Sequence, residues 1–455
     1  MSEGPVHRVI SAAEVYSFPQ GHLGHLTDLE ANALDEFRKL CTEKNLYTGT
    51  KRYDFGSHDD TTLLRFLRAR RFNVEDAFQQ FKETEEWRAA NQLETLYETI
   101  DLQHFEETRR LYPQWTGRRD KRGIPVYIFE VKHLDAKAMA AYDKSASQTH
   151  SKAKTDGNTS PKLLRLFTLY ENLTRYVLPL STAMTDRPYP STPITQSNNI
   201  VDISGVGLKQ FWNLRAHMQN ASQLATAHYP ETLDRIFIIG APYFFPTVWG
   251  WIKRWFDPIT TSKIFILSQS DMKSTLESFI EPANIPKKYG GELDFNWCDP
   301  PVYDPALNDV ITWKGGYETL PTGPMYWRDK GDHIELEAVG SVDGKQRRDI
   351  VATVRKTAIE REAEEANKTT EEAFQPQTIS AATAEAINSA SVGQPKPGSN
   401  VVVPKGIAML SLQDDKNYTE VSDVANEAQV GKLESVNEKQ DTTPDASATG
   451  QVNKS

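Results

Sequence analysis

The spacing of apolar residues divides the chain into a helical region near the N-terminus and an alternating region of strands and helices after it. Past Thr27 and Asp28, which can cap a helix, apolar residues recur at Leu29, Ala33, Leu34, Phe37 and Leu40, three or four apart. The string DDTTLLRFLRARRF at 59–72 opens with Asp59, Asp60 and Thr61 and sets Leu64, Leu67 and Phe72 against Arg65, Arg68, Arg70 and Arg71. A third amphipathic run carries Val74, Ala77, Phe78, Phe81 and Trp87. These runs predict an all-helical lobe over residues 27–100, preceded by a turn-rich, poorly ordered stretch over 1–26.

The period then changes. PVYIFEV at 125–131 and NNIVDIS at 198–204 read as strands, as do RIFII and KIFIL, while 162–178 and 208–228 carry helical stripes. A further helix is expected from Ser274, whose spacing to Glu277 matches a capping box. Strands alternating with helices predict an α/β unit over 101–295 with a mainly parallel sheet. Two connections are long: 142–161 is polar and rich in Ser, Thr and Gly, and 181–196 carries Pro188, Pro190 and Pro193. An extension at 296–366 reads as short turn-broken pieces followed by a helix from Asp349 to about Ala366.

Composition changes the picture mainly at the C-terminal end. The 455 residues carry 52 Lys and Arg against 62 Asp and Glu, a net charge of −10. Between Glu360 and Ser455 there are 16 acidic and 8 basic residues, so the acidity is concentrated there and the body is nearly neutral. All nine Trp lie at or before Trp327. A stretch so poor in aromatic and apolar residues cannot offset its chain entropy, and 367–455 is expected to be a disordered acidic tail. Within it, VVVPKGIAML at 401–410 is a short apolar island that could dock a protein partner. The body lacks the basic excess of a nucleic-acid binder, and two cysteines are too few for a disulfide scaffold. No basic segment followed by an apolar run opens the chain, so a reducing compartment is the expectation. The uncharged stretch at 236–252 reaches the lower length of a membrane span, but Gly240, Pro242, Pro246 and Gly250 interrupt it.

Enzymatic signatures are sparse. No G-x-S-x-G elbow, phosphate loop or H-E-x-x-H pair occurs. Gly205 and Gly207 follow a strand and open a helix, as a dinucleotide fingerprint requires, but Gln210 stands where the third glycine belongs. A dinucleotide-dependent enzyme is therefore kept as an alternative. The ten His are scattered without metal-ligand spacing. The segment at 244–256 differs: Phe245, Trp249, Ile252 and Phe256 recur at four and three, Trp251 and Trp255 adjoin them, and Lys253 and Arg254 lie among the rings. Aromatic bulk edged by basic residues suits a membrane interface, while an apolar core stripe is the plainer reading.

In this order the strings LLRFLRARRF, GIPVYIFE, NNIVDISG, YPETLDRIFIIGAPYFF, FDPITTSKIFIL and IPKKYGGEL resemble the CRAL-TRIO lipid-binding family, specifically its fungal phosphatidylinositol/phosphatidylcholine transfer type. The resemblance spans about 59–293. It implies an all-helical N-terminal lobe packed on an α/β lobe whose sheet floors an apolar lipid pocket, with no enzymatic activity and no cofactor. The expected ligands are phosphatidylinositol and a second phospholipid, exchanged during transient contact of a cytoplasmic protein with Golgi or endosomal membranes. By position, Glu231 and Lys263, with Thr260 and Arg70, would hold the inositol lipid headgroup. Tyr127, Tyr170, Ser197 and Asn199 would face a second headgroup, and Phe245, Trp249, Ile252, Trp255 and Phe256 would form the gate helix. On the second-ligand side Asn199 stands where a Thr is expected and Thr116 where an aromatic is expected, and on the inositol side Ala225 replaces a Ser, so phosphatidylinositol is expected to be retained and the second ligand to be phosphatidylcholine or another lipid. A sterol or haem cargo is the alternative within the family.

Overall fold

The computed structural model describes residues 18–47, 59–255 and 261–356. Phe256, Thr260 and the tail with its island at 401–410 lie outside the described residues, as do the side chains of Ile252 and Trp255.

The helical lobe begins where the caps predict. Helix α1 (Asp28–Glu43) opens with Thr27 and Glu30 satisfying each other's backbone amides, and α2 (Asp60–Ala69) and α3 (Val74–Ala90) begin at Asp59 and Asn73, whose side chains accept from Thr62 and Asp76. Their apolar faces close on one another through Phe37, Leu63, Leu67, Ala77 and Phe81, all fully buried. Two short helices, α4 (Leu93–Thr99) and α5 (Leu102–Arg109), lead into the sheet. Residues 18–26 depart from the expected disorder: Phe18 and His22 are buried, the first in the core beside Ile194 and the second against Thr195 and Arg68. Buried partners on the other lobe order this turn, which its own composition gave no means of doing.

Five strands form the central sheet in the order of the chain: β1 (Gln114–Arg119), β2 (Pro125–Glu130), β3 (Ser197–Asp202), β4 (Leu233–Ile239) and β5 (Ile264–Ile266). β1 is an antiparallel edge and the other neighbours are parallel. β2 to β5 therefore advance one place at a time in a single direction. Right-handed crossovers then put every connecting helix on one face. These are α6 (Ala136–Ala146), α7 (Pro161–Asn172) continuing through a wide turn at Leu173–Val177 into α8 (Leu178–Ala183), α9 (Leu208–His228) and α10 (Phe245–Ile252). The order never reverses, so the sheet has no switch point of the kind at which a dinucleotide binds, and Gly205 and Gly207 make only a strand-to-helix turn.

The opposite face is closed by α11 (Gln269–Phe279) and the segment after it. Val126, Ile128, Ile200 and Phe237 pack there against Met272, Leu276, Ile280 and Tyr289. Helix α11 starts earlier than the Ser274 signal suggests: Ser268 caps it by accepting from Asp271, and Ser274 lies inside, donating to the Asp271 carbonyl.

The extension is a second, antiparallel sheet of β6 (Ile311–Trp313), β7 (Met325–Asp329), β8 (His333–Ala338) and β9 (Asp349–Arg355), in the order β6-β9-β8-β7. Strand β9 corrects the helix expected from Asp349. Its β-branched residues Ile350, Val351, Thr353 and Val354 suit a pleated surface, and β8 and β6 pair with it on both sides. The sheet shares a core with Trp115, Leu173, Tyr176 and Leu180. Tyr97 Oη donates to the Met325 carbonyl at 2.6 Å and Trp327 Nε1 to that of Tyr176 at 3.1 Å.

Candidate functional site

The crossover face is built differently from the closed one. In register across the sheet it presents Tyr127, Asn199, Ile236 and Ile264, then Phe129, Val201, Ile238 and Ile266. Several of these remain half-buried, and Ile266 is 44% exposed. Alternation along the strands gives an apolar floor under the crossover helices, part of it packed into a core with Phe211, Leu214, Phe245 and Val248 and part of it half-buried.

Helix α10 covers one part of that floor. Phe245 and Val248 are buried with Phe211, Leu214 and Ile238, while Trp249 is half-buried and stacks on Phe245 at 6.2 Å. Trp251 stacks on Trp212 of α9 at 5.2 Å. Lys253 and Arg254 are exposed, and so is Tyr243 just before the helix, at 91%. The helix thus holds the floor with one edge and keeps rings and cations at its outer margin.

A charged cluster stands at the end of β4. Glu231 adopts a left-handed backbone (φ 57°) in the turn between α9 and β4. Its Oε2 accepts from Lys263 Nζ at 3.2 Å and from Arg68 Nη2 at 2.9 Å. Lys263 is 8% exposed and also donates to the Leu233 carbonyl. The structure therefore joins Glu231 to Lys263, two residues nominated from the sequence, and adds Arg68. Arg70, the nominated arginine, sits at the C-terminal cap of α2 and is exposed. The helical period carries the distinction: Arg65 and Arg68 are three apart on the face toward the sheet, whereas Arg70 and Arg71 fall beyond the last turn.

His22 completes this cluster and had no sequence signal, since it comes from the turn before α1. Its Nδ1 donates to the Gln20 carbonyl, so Nε2 is the acceptor, 2.7 Å from Arg68 Nη1 and 3.0 Å from Thr195 Oγ1. Burial first and the neighbouring Arg68 second hold its pKa well below 6.5, which keeps it neutral. Burial likewise lowers the pKa of Arg68, against the opposing pull of Glu231.

The hydroxyls nominated for a second headgroup are only partly gathered. Ser197 and Asn199 are buried on β3, where Ser197 Oγ donates to the Thr232 carbonyl and Asn199 Nδ2 to Ser197 Oγ. Tyr127 lies beside Asn199 in register. Tyr170 instead packs on Tyr229 at 5.0 Å and Phe167 at 5.2 Å. The rings of Tyr127 and Tyr170 make no contact with each other. Burial alone raises both hydroxyls, that of Tyr170 to about 12. Neither phenol has a hydrogen-bond partner among the described residues, although buried Tyr hydroxyls ordinarily have one. Thr116 is buried and donates to the Val126 carbonyl, so it is spent within the sheet edge.

Among the described residues there is no cluster suited to a metal ion, and no helix is long and apolar enough to cross a membrane.

Comparison with known proteins places this geometry. The CRAL/TRIO domain model matches residues 109–291 and the CRAL/TRIO N-terminal domain model residues 33–83. The SEC14 cytosolic factor of Eremothecium gossypii is 32% identical over 307 residues, covering 67% of this chain and 88% of that protein. The SEC14 cytosolic factor of Kluyveromyces lactis is 30% identical, covering 67% and 94%. The phosphatidylinositol/phosphatidylcholine transfer protein SFH7 of Arabidopsis thaliana is 33% identical over 242 residues, covering 51% and 40%. With two domain models in tandem and the two SEC14 cytosolic factors matched over most of their length, this chain belongs to the CRAL-TRIO family.

Proposed function

We infer that the protein binds a single phospholipid and transfers it between membranes without making or breaking a covalent bond, phosphatidylinositol being its primary ligand. The observation that carries this reading is the Arg68–Glu231–Lys263 cluster beside a half-open apolar floor. Acyl chains laid on that floor would contribute about 0.8 kcal/mol per buried CH₂. Specificity then falls to the cluster, whose cations suit a phosphate and whose carboxylate suits ring hydroxyls. SEC14 cytosolic factors and a phosphatidylinositol/phosphatidylcholine transfer protein among the relatives support the same ligand class. We assign Thr260 to the headgroup as well, and Arg70 to the rim rather than the ion cluster.

The second phospholipid meets Tyr127, Ser197, Asn199 and Tyr170. With Asn199 and Thr116 in place, that second ligand is phosphatidylcholine or another lipid. Helix α10 serves as the gate, with Trp255 and Phe256 of the following segment assigned to it as well: its outer rings enter the interface while Lys253 and Arg254 meet anionic lipid. The working compartment is the cytoplasm, with transient docking on Golgi or endosomal membranes, and no cofactor takes part. Residues 27–295 form the lipid-binding unit, with the tail left for a protein partner.

The test is transfer from donor to acceptor liposomes by the full chain. Truncating one member of a buried, hydrogen-bonded charge pair costs enough that Lys263→Ala should lower phosphatidylinositol transfer by about tenfold or more. Transfer of the second phospholipid should stay within about twofold, since that headgroup site is separate. Unchanged phosphatidylinositol transfer would overturn the assignment.

A further inference from the structure

A cavity of about 120 Å³ lies between the helical lobe, the turn joining α7 to α8, and strand β7 of the extension. Its lining does not include Arg68, Glu231, Lys263, Tyr127, Ser197 or Asn199, although it adjoins the charged cluster through Thr195, which meets His22. Such a volume accommodates several waters or one small polar molecule.

Arg65 lines the cavity and is 8% exposed. Its only hydrogen bond among the described residues runs from Nη1 to the Pro230 carbonyl at 3.4 Å, and it forms no ion pair with any of them. Three carboxylates line the cavity and each is held by other partners: Asp59 accepts from Thr61 Oγ1 and the Thr62 amide, and Glu85 lies 3.8 Å from Arg88. Glu171, 1% exposed, accepts both Arg88 nitrogens at 2.6 and 3.0 Å, Arg175 Nε at 2.6 Å and the Tyr229 hydroxyl. A buried guanidinium presents five donors in a fixed fork, and one left with a single long bond is costly unless an anion meets it. Burial lowers its pKa to about 10, with Asp59 opposing.

Four threonines of the lining have the opposite character. Thr61 Oγ1 donates to Asp59, Thr84 Oγ1 to the Gln80 carbonyl, Thr174 Oγ1 to the Tyr170 carbonyl and Thr182 Oγ1 to the Leu178 carbonyl. Each hydroxyl has spent its proton within the protein and offers only lone pairs. The cavity therefore asks for an oxyanion at Arg65 and for hydroxyl donors around it. Thr174 and Arg175 are half-exposed and give it a mouth to solvent.

We propose that this cavity is a second ligand site, separate from the lipid site, that takes a phosphorylated polyol. The phosphate would accept the unused Arg65 donors, and the polyol hydroxyls would donate to the threonine oxygens.

Titration calorimetry of the full chain with inositol 1-phosphate, beside inorganic phosphate and free inositol, reads this directly, and liposome transfer distinguishes a soluble ligand from a lipid headgroup. Inositol 1-phosphate should bind more tightly than either half. Arg65→Gln should weaken it by about tenfold or more, as expected for loss of a charge-assisted pair, and the half-exposed Thr174→Val by about threefold. Phosphatidylinositol transfer should stay within about twofold in both variants, while Lys263→Ala should leave inositol 1-phosphate binding intact. The proposal is overturned if no heat is seen at millimolar ligand, if Lys263→Ala abolishes the binding, or if Arg65→Gln lowers transfer in step with it. The last result would make the ligand the headgroup of the carried lipid. A wild-type chain that binds inositol 1-phosphate but transfers no lipid would overturn the lipid reading alone.

Discussion

Two buried glutamates, each held by two cations, serve opposite ends. Glu171 is complete: both oxygens are engaged, by Arg88, Arg175 and Tyr229. Burial would raise its pKa, but the adjoining Arg88 and then Arg175 overcome this and hold it far below the usual carboxylate range. Glu231 is incomplete. Among the described residues only Oε2 is engaged, by Arg68 and Lys263, and its side chain is 15% exposed. The same residue types therefore make a closed ion cluster in one place and, under the proposed function, a receptive site in the other. What differs is whether every lone pair and every donor already has a protein partner.

The comparison breaks first on stability. Glu171→Gln leaves Arg88 and Arg175 buried without an anion and should cost about 3 to 5 kcal/mol, read by denaturant unfolding of the full chain. A loss under about 1 kcal/mol would mean that solvent already serves that cluster. Glu231→Gln should cost less, about 1 to 3 kcal/mol, because water reaches the carboxylate, yet it should reduce phosphatidylinositol transfer far more than the change in folded fraction explains. If Glu171→Gln impaired transfer by the folded protein just as strongly, the division between the two glutamates would fail.

The smallest effect concerns His22. Its pKa is depressed in the folded state, so between that value and 6.5 the unfolded chain binds the extra proton, and stability rises with pH. Lowering the pH from 6.5 to 5.5 should therefore cost up to about 1 kcal/mol through this residue. His217 and His228, both held at about 4 by burial, slope the same way, so His22→Asn should flatten the stability profile only in part. An unaltered slope in that variant would show that His22 is not the neutral acceptor Arg68 needs.

The cap residues made the lobe legible. Thr27, Asp59 and Asn73 each accept backbone amides that no helix can satisfy from within, a requirement that depends only on the chain nearby. The strands at 125–130, 197–202 and 233–239 were equally readable from their β-branched runs. Strand β9 was not. Its acidic and basic neighbours resemble a solvated helix face, and only pairing with β8 and β6 makes the extended form preferable. The edge strand β1 escaped notice for the same reason, its Gln, Thr, Gly and Arg gaining order from β2.

The site divides along the same line. Glu231 and Lys263 were nominated only through the resemblance of their strings to the CRAL-TRIO family, which also implied the ligand class. The sequence could not choose Arg68 over Arg70, because that depends on which face of α2 meets the sheet. Nor could it find His22 or leave Arg65 without an anion, since both depend on what distant segments bring into contact. Local periodicity and caps are written in neighbouring residues and determined the helices, the main strands and the direction of the charged cluster. Which polar groups are satisfied and which are left waiting for a ligand was decided only when the two lobes and the second sheet closed together.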